Sequence, residues 1–200
     1  MQHTWLLAQE EKELVQNAQW LLTKQRVIEK VYELFGQLST AYTPLLQQCT
    51  AADAAVKAVS PKIARGEFYR QLPYVVLDQP RYFKQDDAFA IRSFFWWGHS
   101  FSIHLHLAGH YKTLLQNVLS QKLAAGHLQQ WQVATGSDPW QHHFAPDTYI
   151  PVTRNNHPAV LQTWQQQPFI KLARELPLQQ WEHAYTFYVE SFTALMALLA

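Results

Sequence analysis

Cysteine is almost absent from this sequence: Cys49 is the single example among 200 residues. One cysteine excludes an internal disulfide bond and any zinc site built from several cysteines. Disulfide-free chains are typical of reducing compartments. We therefore expect a cytoplasmic protein.

Long apolar runs and basic runs are missing as well. A membrane-spanning helix needs ~20 mostly apolar residues, and the N-terminus lacks the basic and apolar regions of a secretory signal. The chain has 16 Lys and Arg against 15 Asp and Glu, and the basic residues form no stripe along the sequence. We expect neither a membrane nor a nucleic acid as partner.

Glycine is scarce, with six residues, and none lies in a phosphate-binding loop or in a Gly-x-Ser-x-Gly nucleophile turn. The adjacent carboxylates Asp86 and Asp87 are typical of a turn or helix cap rather than an acid/base pair. The sequence therefore assigns no catalytic residue and no cofactor, apart from the divalent metal considered below.

The chain does have enough apolar residues to form one hydrophobic core, since 48% of its residues are hydrophobic and its mass is 23.3 kDa. We expect residues 1–200 to form a single domain in three parts. These are a helical hairpin over 1–60, a mainly antiparallel sheet with one inserted helix over 61–177, and a C-terminal helix over 178–200.

A seven-residue repeat predicts the helical start of the chain. It consists of Leu7, Leu14, Leu21, Ile28 and Phe35. We expect a first helix between Thr4 and Gly36 and a second from Pro44, joined as an antiparallel hairpin. The apolar stripe has two interpretations: it packs on the protein's own sheet, or it pairs two chains into a homodimer.

From Tyr74 onward, β-branched and aromatic residues collect in short runs between Pro, Gly and Asp, which predicts strands. We expect about five strands, at residues 74–77, 90–97, 100–107, 128–134 and 169–176. A loop from 135 to 158 carries four prolines, and loops of that length are often functional. Successive strands with helices at the ends predict an α+β fold.

The strand near residues 101–107 alternates strictly between apolar and polar residues. His104 and His106 fall on its polar face, about 7 Å apart, where two imidazoles could hold one metal ion. A third ligand would come from His110, from the pair His142 and His143, or from Asp147. The alternative is a plain surface or ligand cleft without metal.

Arg81 and Arg92 could flank the same face of the sheet and orient an anionic or planar ligand through their forked donors. Trp96 and Trp97 are neighbours on a strand, so they point to opposite faces, and an outward Trp97 needs a cover. The candidate ligand-binding residues are therefore Arg81, Arg92, Trp97, His104 and His106. The alternative is that both Trp side chains serve the core.

Three functions are compatible with these patterns. The first is a non-catalytic domain that binds a small ligand or a partner. The second is a metal-dependent hydrolase with His104, His106 and His110 as candidate ligands. The third is a structural or assembly component that dimerises through its N-terminal helix.

Overall fold

Seven strands form one antiparallel sheet in this computed structural model, which describes residues 5–200. They are β1 Lys62–Tyr69, β2 Leu72–Lys84, β3 Asp87–Trp96, β4 Ser100–Ala108, β5 Gln132–Ala134, β6 Tyr149–Pro151 and β7 Phe169–Pro177. Their order across the sheet is β1-β2-β3-β4-β7-β5-β6. The α+β prediction is confirmed, with two more strands than the five or so expected.

The described residues also contain six α-helices and two short 3₁₀ helices. The α-helices are α1 Gln9–Gln16, α2 Ala18–Gln48, α3 Ala54–Lys57, α4 Gly109–Ala124, α5 His157–Gln166 and α6 Ala184–Leu199. Helices α2, α4 and α6 contact the central strands, and their apolar residues join those of the sheet in one core. Within residues 5–200, no helix is both long and apolar enough to cross a membrane.

The N-terminal region differs from the expected hairpin, because α2 continues through Gly36 and Pro44. A glycine costs a helix about 1 kcal/mol and a proline about 3 kcal/mol. Those costs are outweighed by a stripe of side chains that α2 buries on the sheet, each of which contributes about 1.5–3 kcal/mol. The stripe consists of Ile28, Val31, Phe35, Leu38, Tyr42 and Leu46. Within residues 5–60 the chain therefore forms one long helix flanked by short ones, and Thr4 lies outside the described residues.

The two faces of the sheet differ in chemistry, as the alternation on β4 predicts. Phe101, Ile103, Leu105 and Leu107 are fully buried beneath the helices. Ser102, His104 and His106 point to the opposite face. That face is also buried, because residues 135–148, which connect β5 to β6, lie across it; we call this segment the covering loop.

Tyr42 ties α2 to the sheet. Its hydroxyl lies 3.0 Å from Ser93 Oγ of β3, both side chains are fully buried, and its ring stacks on Phe192 of α6 at 3.8 Å. A hydrogen bond between two fully buried groups leaves the remaining partner unsatisfied when one is removed.

We expect Tyr42→Phe to lower the free energy of unfolding by about 1–2 kcal/mol, because Ser93 loses its partner inside the core. Chemical denaturation measures the change. Tyr32→Phe is the control, since Tyr32 lies on the same helix and is half-buried. Equal losses in the two variants would contradict a specific role for the Tyr42 hydroxyl.

Candidate functional site

A cluster of buried polar side chains lies between the sheet and the covering loop. Strand register places its sheet members side by side: Asp78 of β2 is opposite Arg92 of β3, and Arg92 is opposite His104 of β4. Lys171 of β7 is opposite His106 of β4. The covering loop adds His142, and Asp78, His104, His142 and Lys171 are all buried, with Lys171 only 2% exposed.

Asp78 and Arg92 form a forked ion pair at the edge of this cluster. Arg92 Nε donates to Asp78 Oδ1 at 2.7 Å, and Arg92 Nη2 donates to Asp78 Oδ2 at 2.8 Å. The guanidinium also lies 5.4 Å from the centroid of the Trp140 ring. This pairing neutralises the charge of Arg92 locally and fixes the direction of its third nitrogen.

That third nitrogen determines the tautomer of His142. Arg92 Nη1 lies 3.0 Å from His142 Nε2, and a guanidinium can only donate, so Nε2 accepts. A neutral imidazole that accepts at one nitrogen carries its proton on the other. His142 therefore donates from Nδ1, and burial lowers the pKa of His142 well below its ordinary value, in agreement with a neutral ring.

The same reasoning makes Lys171 a neutral amine. His142 Nδ1 lies 3.1 Å from Lys171 Nζ, which must accept this hydrogen bond. The two amine hydrogens go to the carbonyl oxygens of Pro139 and Gln141, each at 2.6 Å. An amine with two hydrogens and one lone pair satisfies all three contacts, whereas an ammonium has no lone pair. Burial, together with the charge of Arg92, lowers the pKa of Lys171 well below its ordinary value.

His104 is held in one tautomer by a second chain of hydrogen bonds. Tyr149 Oη donates to the Gln141 carbonyl at 3.1 Å, so it accepts from His104 Nδ1, also at 3.1 Å. His104 Nε2 then accepts from Ser102 Oγ at 2.8 Å. Both ring nitrogens are occupied, and burial lowers the pKa of His104 well below its ordinary value.

His106 faces a cavity instead. It has no hydrogen-bond partner within residues 5–200, and its ring packs edge-on against Trp140 and Phe169, with centroids 5.9 and 5.7 Å away. Burial lowers the pKa of His106 to about 4, so the ring is neutral at pH 7. The aromatic cavity beside it has a volume of about 440 Å³. It is lined by Phe83, Gln85, Asp86, Asp87, Ala88, His106, Ala108, Gly109, Pro139, Trp140, Pro168 and Phe169.

The structure brings together three of the five candidate ligand-binding residues: Arg92, His104 and His106. Arg81 instead donates to the Ser60 carbonyl at 3.4 Å. Trp97 follows the far end of β3 and lies beside Phe95 on the helix side of the sheet, with ring centroids 6.2 Å apart. Of the sequence candidates, only His106 lines the aromatic cavity.

The three candidate metal ligands do not share one site. His104 is bonded on both nitrogens, and His110 lies in the first turn of α4, where its backbone N–H donates to Asp87 Oδ1 at 2.7 Å. His142 reaches His104, with ring centroids 4.8 Å apart, but is bonded to Arg92 and Lys171. No group of three or more His, Cys, Asp or Glu in the described part of the chain is placed to hold a metal ion. Metal binding stays a prediction.

Sequence reasoning missed Asp78, Lys171, Trp140 and Phe83 as members of the site. One signal was available for Lys171, because it lies between apolar Ile170 and Leu172 in the middle of a predicted strand. A lysine at such a position faces the side of the sheet opposite to its neighbours. Nothing in the sequence indicates that the covering loop brings Trp140 to that side.

The pKa of His106 predicts a loss of stability in acid. Below pH 6.5 the unfolded chain protonates this ring, whereas the folded protein resists protonation until about pH 4. The free energy of unfolding therefore falls as the pH drops through this window, by about 3 kcal/mol from His106 alone. His104 and His142 change stability in the same direction.

We expect His106→Gln to reduce this pH dependence, because Gln does not titrate. Denaturation at a series of pH values between 7 and about 4 measures the slope. His183→Gln is the control, since His183 is exposed. Parallel curves for wild type and His106→Gln would contradict the assignment of His106 as a ring that resists protonation.

The comparisons with known proteins identify no family for this chain. No family model matches it, and it matches no curated protein and no solved structure. Since one fold can carry many unrelated functions, the function has to be inferred from the cluster and the cavity themselves.

Proposed function

We propose that this protein is a non-catalytic binding domain that takes a small, largely apolar molecule into the aromatic cavity. The cavity itself carries the proposal. At about 440 Å³ it has the size of a small-molecule site, for which ~300–1,000 Å³ is typical. Its walls combine the rings of Phe83, Trp140 and Phe169 with a few polar groups, as ligand sites do.

The exposure of the cavity wall supports the same proposal. Trp140 and Phe83 are 49% and 40% exposed, and their ring centroids lie 5.6 Å apart. Large aromatic side chains held at a surface lose apolar contact with water when a ligand covers them. A bound apolar molecule would therefore be stabilised by both rings.

The polar cluster favours binding over catalysis. Its imidazoles and amine satisfy one another and the backbone: His104, His142 and Lys171 have their nitrogens occupied within the protein. A catalytic group must instead reach the substrate. We assign the cluster a supporting role, in which Lys171 holds the carbonyls on either side of Trp140 and so positions that ring at the cavity.

Narrowing the cavity should weaken binding. We expect the neutral fluorescent probe N-phenyl-1-naphthylamine to brighten when wild-type protein is added, because an apolar cavity excludes water from it. Ala108→Leu should weaken this response, since Ala108 lines the cavity and the larger side chain would take up part of the space. Fluorescence titration gives the affinity, and a thermal melt checks that the variant is folded.

Ala124→Leu is the matched control, because Ala124 is an exposed residue near the end of α4, away from the aromatic cavity. An Ala108→Leu variant that binds the probe as well as wild type would contradict the proposed site. A wild-type protein that never brightens the probe would contradict the proposed function itself.

A second function, self-assembly through the N-terminal helices, is favoured by a separate observation. The seven-residue repeat divides into two halves in the structure: Ile28 and Phe35 are buried against the core, whereas Leu14 and Leu21 are each 52% exposed. Several further apolar side chains are exposed in the same segment, namely Leu6, Leu7, Val15, Trp20 and Leu22. A second copy of this segment would cover them and form a homodimer.

We expect the double variant Leu14→Glu and Leu21→Glu to shift such a dimer to monomer, because charges on an apolar seam are costly to bury. Light scattering after size-exclusion chromatography measures the mass. Leu114→Glu is the control, since Leu114 is also 52% exposed but lies on α4. A mass that is the same in all three proteins would contradict assembly through this segment.

A further inference from the structure

The charged side chains that line the aromatic cavity are negative. Asp86 and Asp87 lie at its mouth, and no Lys or Arg is among the described residues that line it. Asp87 offsets the positive end of α4 through its bond to the His110 N–H, whereas Asp86 is exposed. A carboxylate at the mouth attracts positively charged molecules.

The positive groups behind the cavity do not cancel this charge. Arg92 lies on the Trp140 side of the cavity but is paired with Asp78 through two short hydrogen bonds. Lys171 is neutral, because it must accept a hydrogen bond from His142. With Arg92 paired and Lys171 neutral, Asp86 and Asp87 are left as the charged side chains among the described residues that line the cavity.

The aromatic wall favours the same kind of ligand. Phe83, Trp140, Phe169 and His106 form one side of the cavity as a row of rings in contact, with neighbouring centroids 5.6–6.1 Å apart. The faces of aromatic rings carry partial negative charge and attract an ammonium group once it is desolvated. An exposed aromatic wall with a carboxylate beside it can therefore bind such a group.

We infer that the ligand of the aromatic cavity is a small organic cation, an apolar body that carries a quaternary or protonated amine. The inference rests on the proposed function and specifies its ligand class. The amine lies against Trp140 and Phe83, with Asp86 close to its charge, and the apolar body extends toward Phe169.

Two probes of equal shape test the charge alone. Benzyltrimethylammonium is a cation, and neopentylbenzene has the same skeleton with carbon in place of nitrogen. Both are titrated against wild-type protein carrying N-phenyl-1-naphthylamine, and displacement is followed by fluorescence at low salt. We expect the cation to displace the naphthylamine at about tenfold lower concentration than the neutral compound.

Two charge-neutralising variants test the carboxylate. Asp86→Asn should reduce the preference for the cation, measured as the ratio of the two displacing concentrations, at least threefold, on the order expected for an exposed charge. Glu182→Gln, which removes an exposed carboxylate elsewhere, should leave both probes unchanged.

The outcomes separate this inference from the proposed function. If the naphthylamine binds but the two probes displace it equally, the cavity binds ligands without selecting a cation, and the inference is overturned alone. A preference that Asp86→Asn leaves intact also overturns it. If the naphthylamine never binds, the proposed function fails and the inference fails with it.

Discussion

The hydrogen bonds of Lys171 are the constraint on which the site depends. Polar groups buried between sheet and covering loop are stable only if each finds a partner. Lys171 meets this condition by bonding the Pro139 and Gln141 carbonyls and His142 at the same time. Because those contacts lie on both sides of Trp140, the amine fixes the part of the loop that forms the cavity wall.

The two faces of the sheet have different roles, since one packs against the helices and the other packs against the covering loop. On the helix side, buried apolar residues from α2, α4 and α6 form the main core, with Tyr42 tied to Ser93. On the loop side, hydrogen bonds and one ion pair hold the polar cluster together, rather than apolar burial. Buried polar networks fix one geometry when every member is satisfied. A rigid cluster is therefore a suitable support for a cavity whose rings must keep their places.

Sequence periodicity predicted the elements in which local pattern and tertiary burial agree. The alternation of β4, the position of β7 and the C-terminal helix are of this kind. The sequence prediction was wrong where tertiary packing outweighed residues that disfavour a helix, as at Gly36 and Pro44 within α2. It also missed β1, whose charged residues and glycine hide the strand pattern, and α5, whose Pro158 suggested a loop although proline suits the start of a helix.

The sequence by itself determined the fold class, the two-sided chemistry of β4 and the position of His104 and His106 on one strand face, because these follow from a two-residue period. Only the tertiary structure decided that one of the two imidazoles is locked inside a network and the other faces a cavity. Strand register brought Asp78, Arg92 and Lys171 alongside them, and the covering loop added His142 and Trp140. Such contacts join residues far apart in the chain, and no local pattern encodes which of them meet.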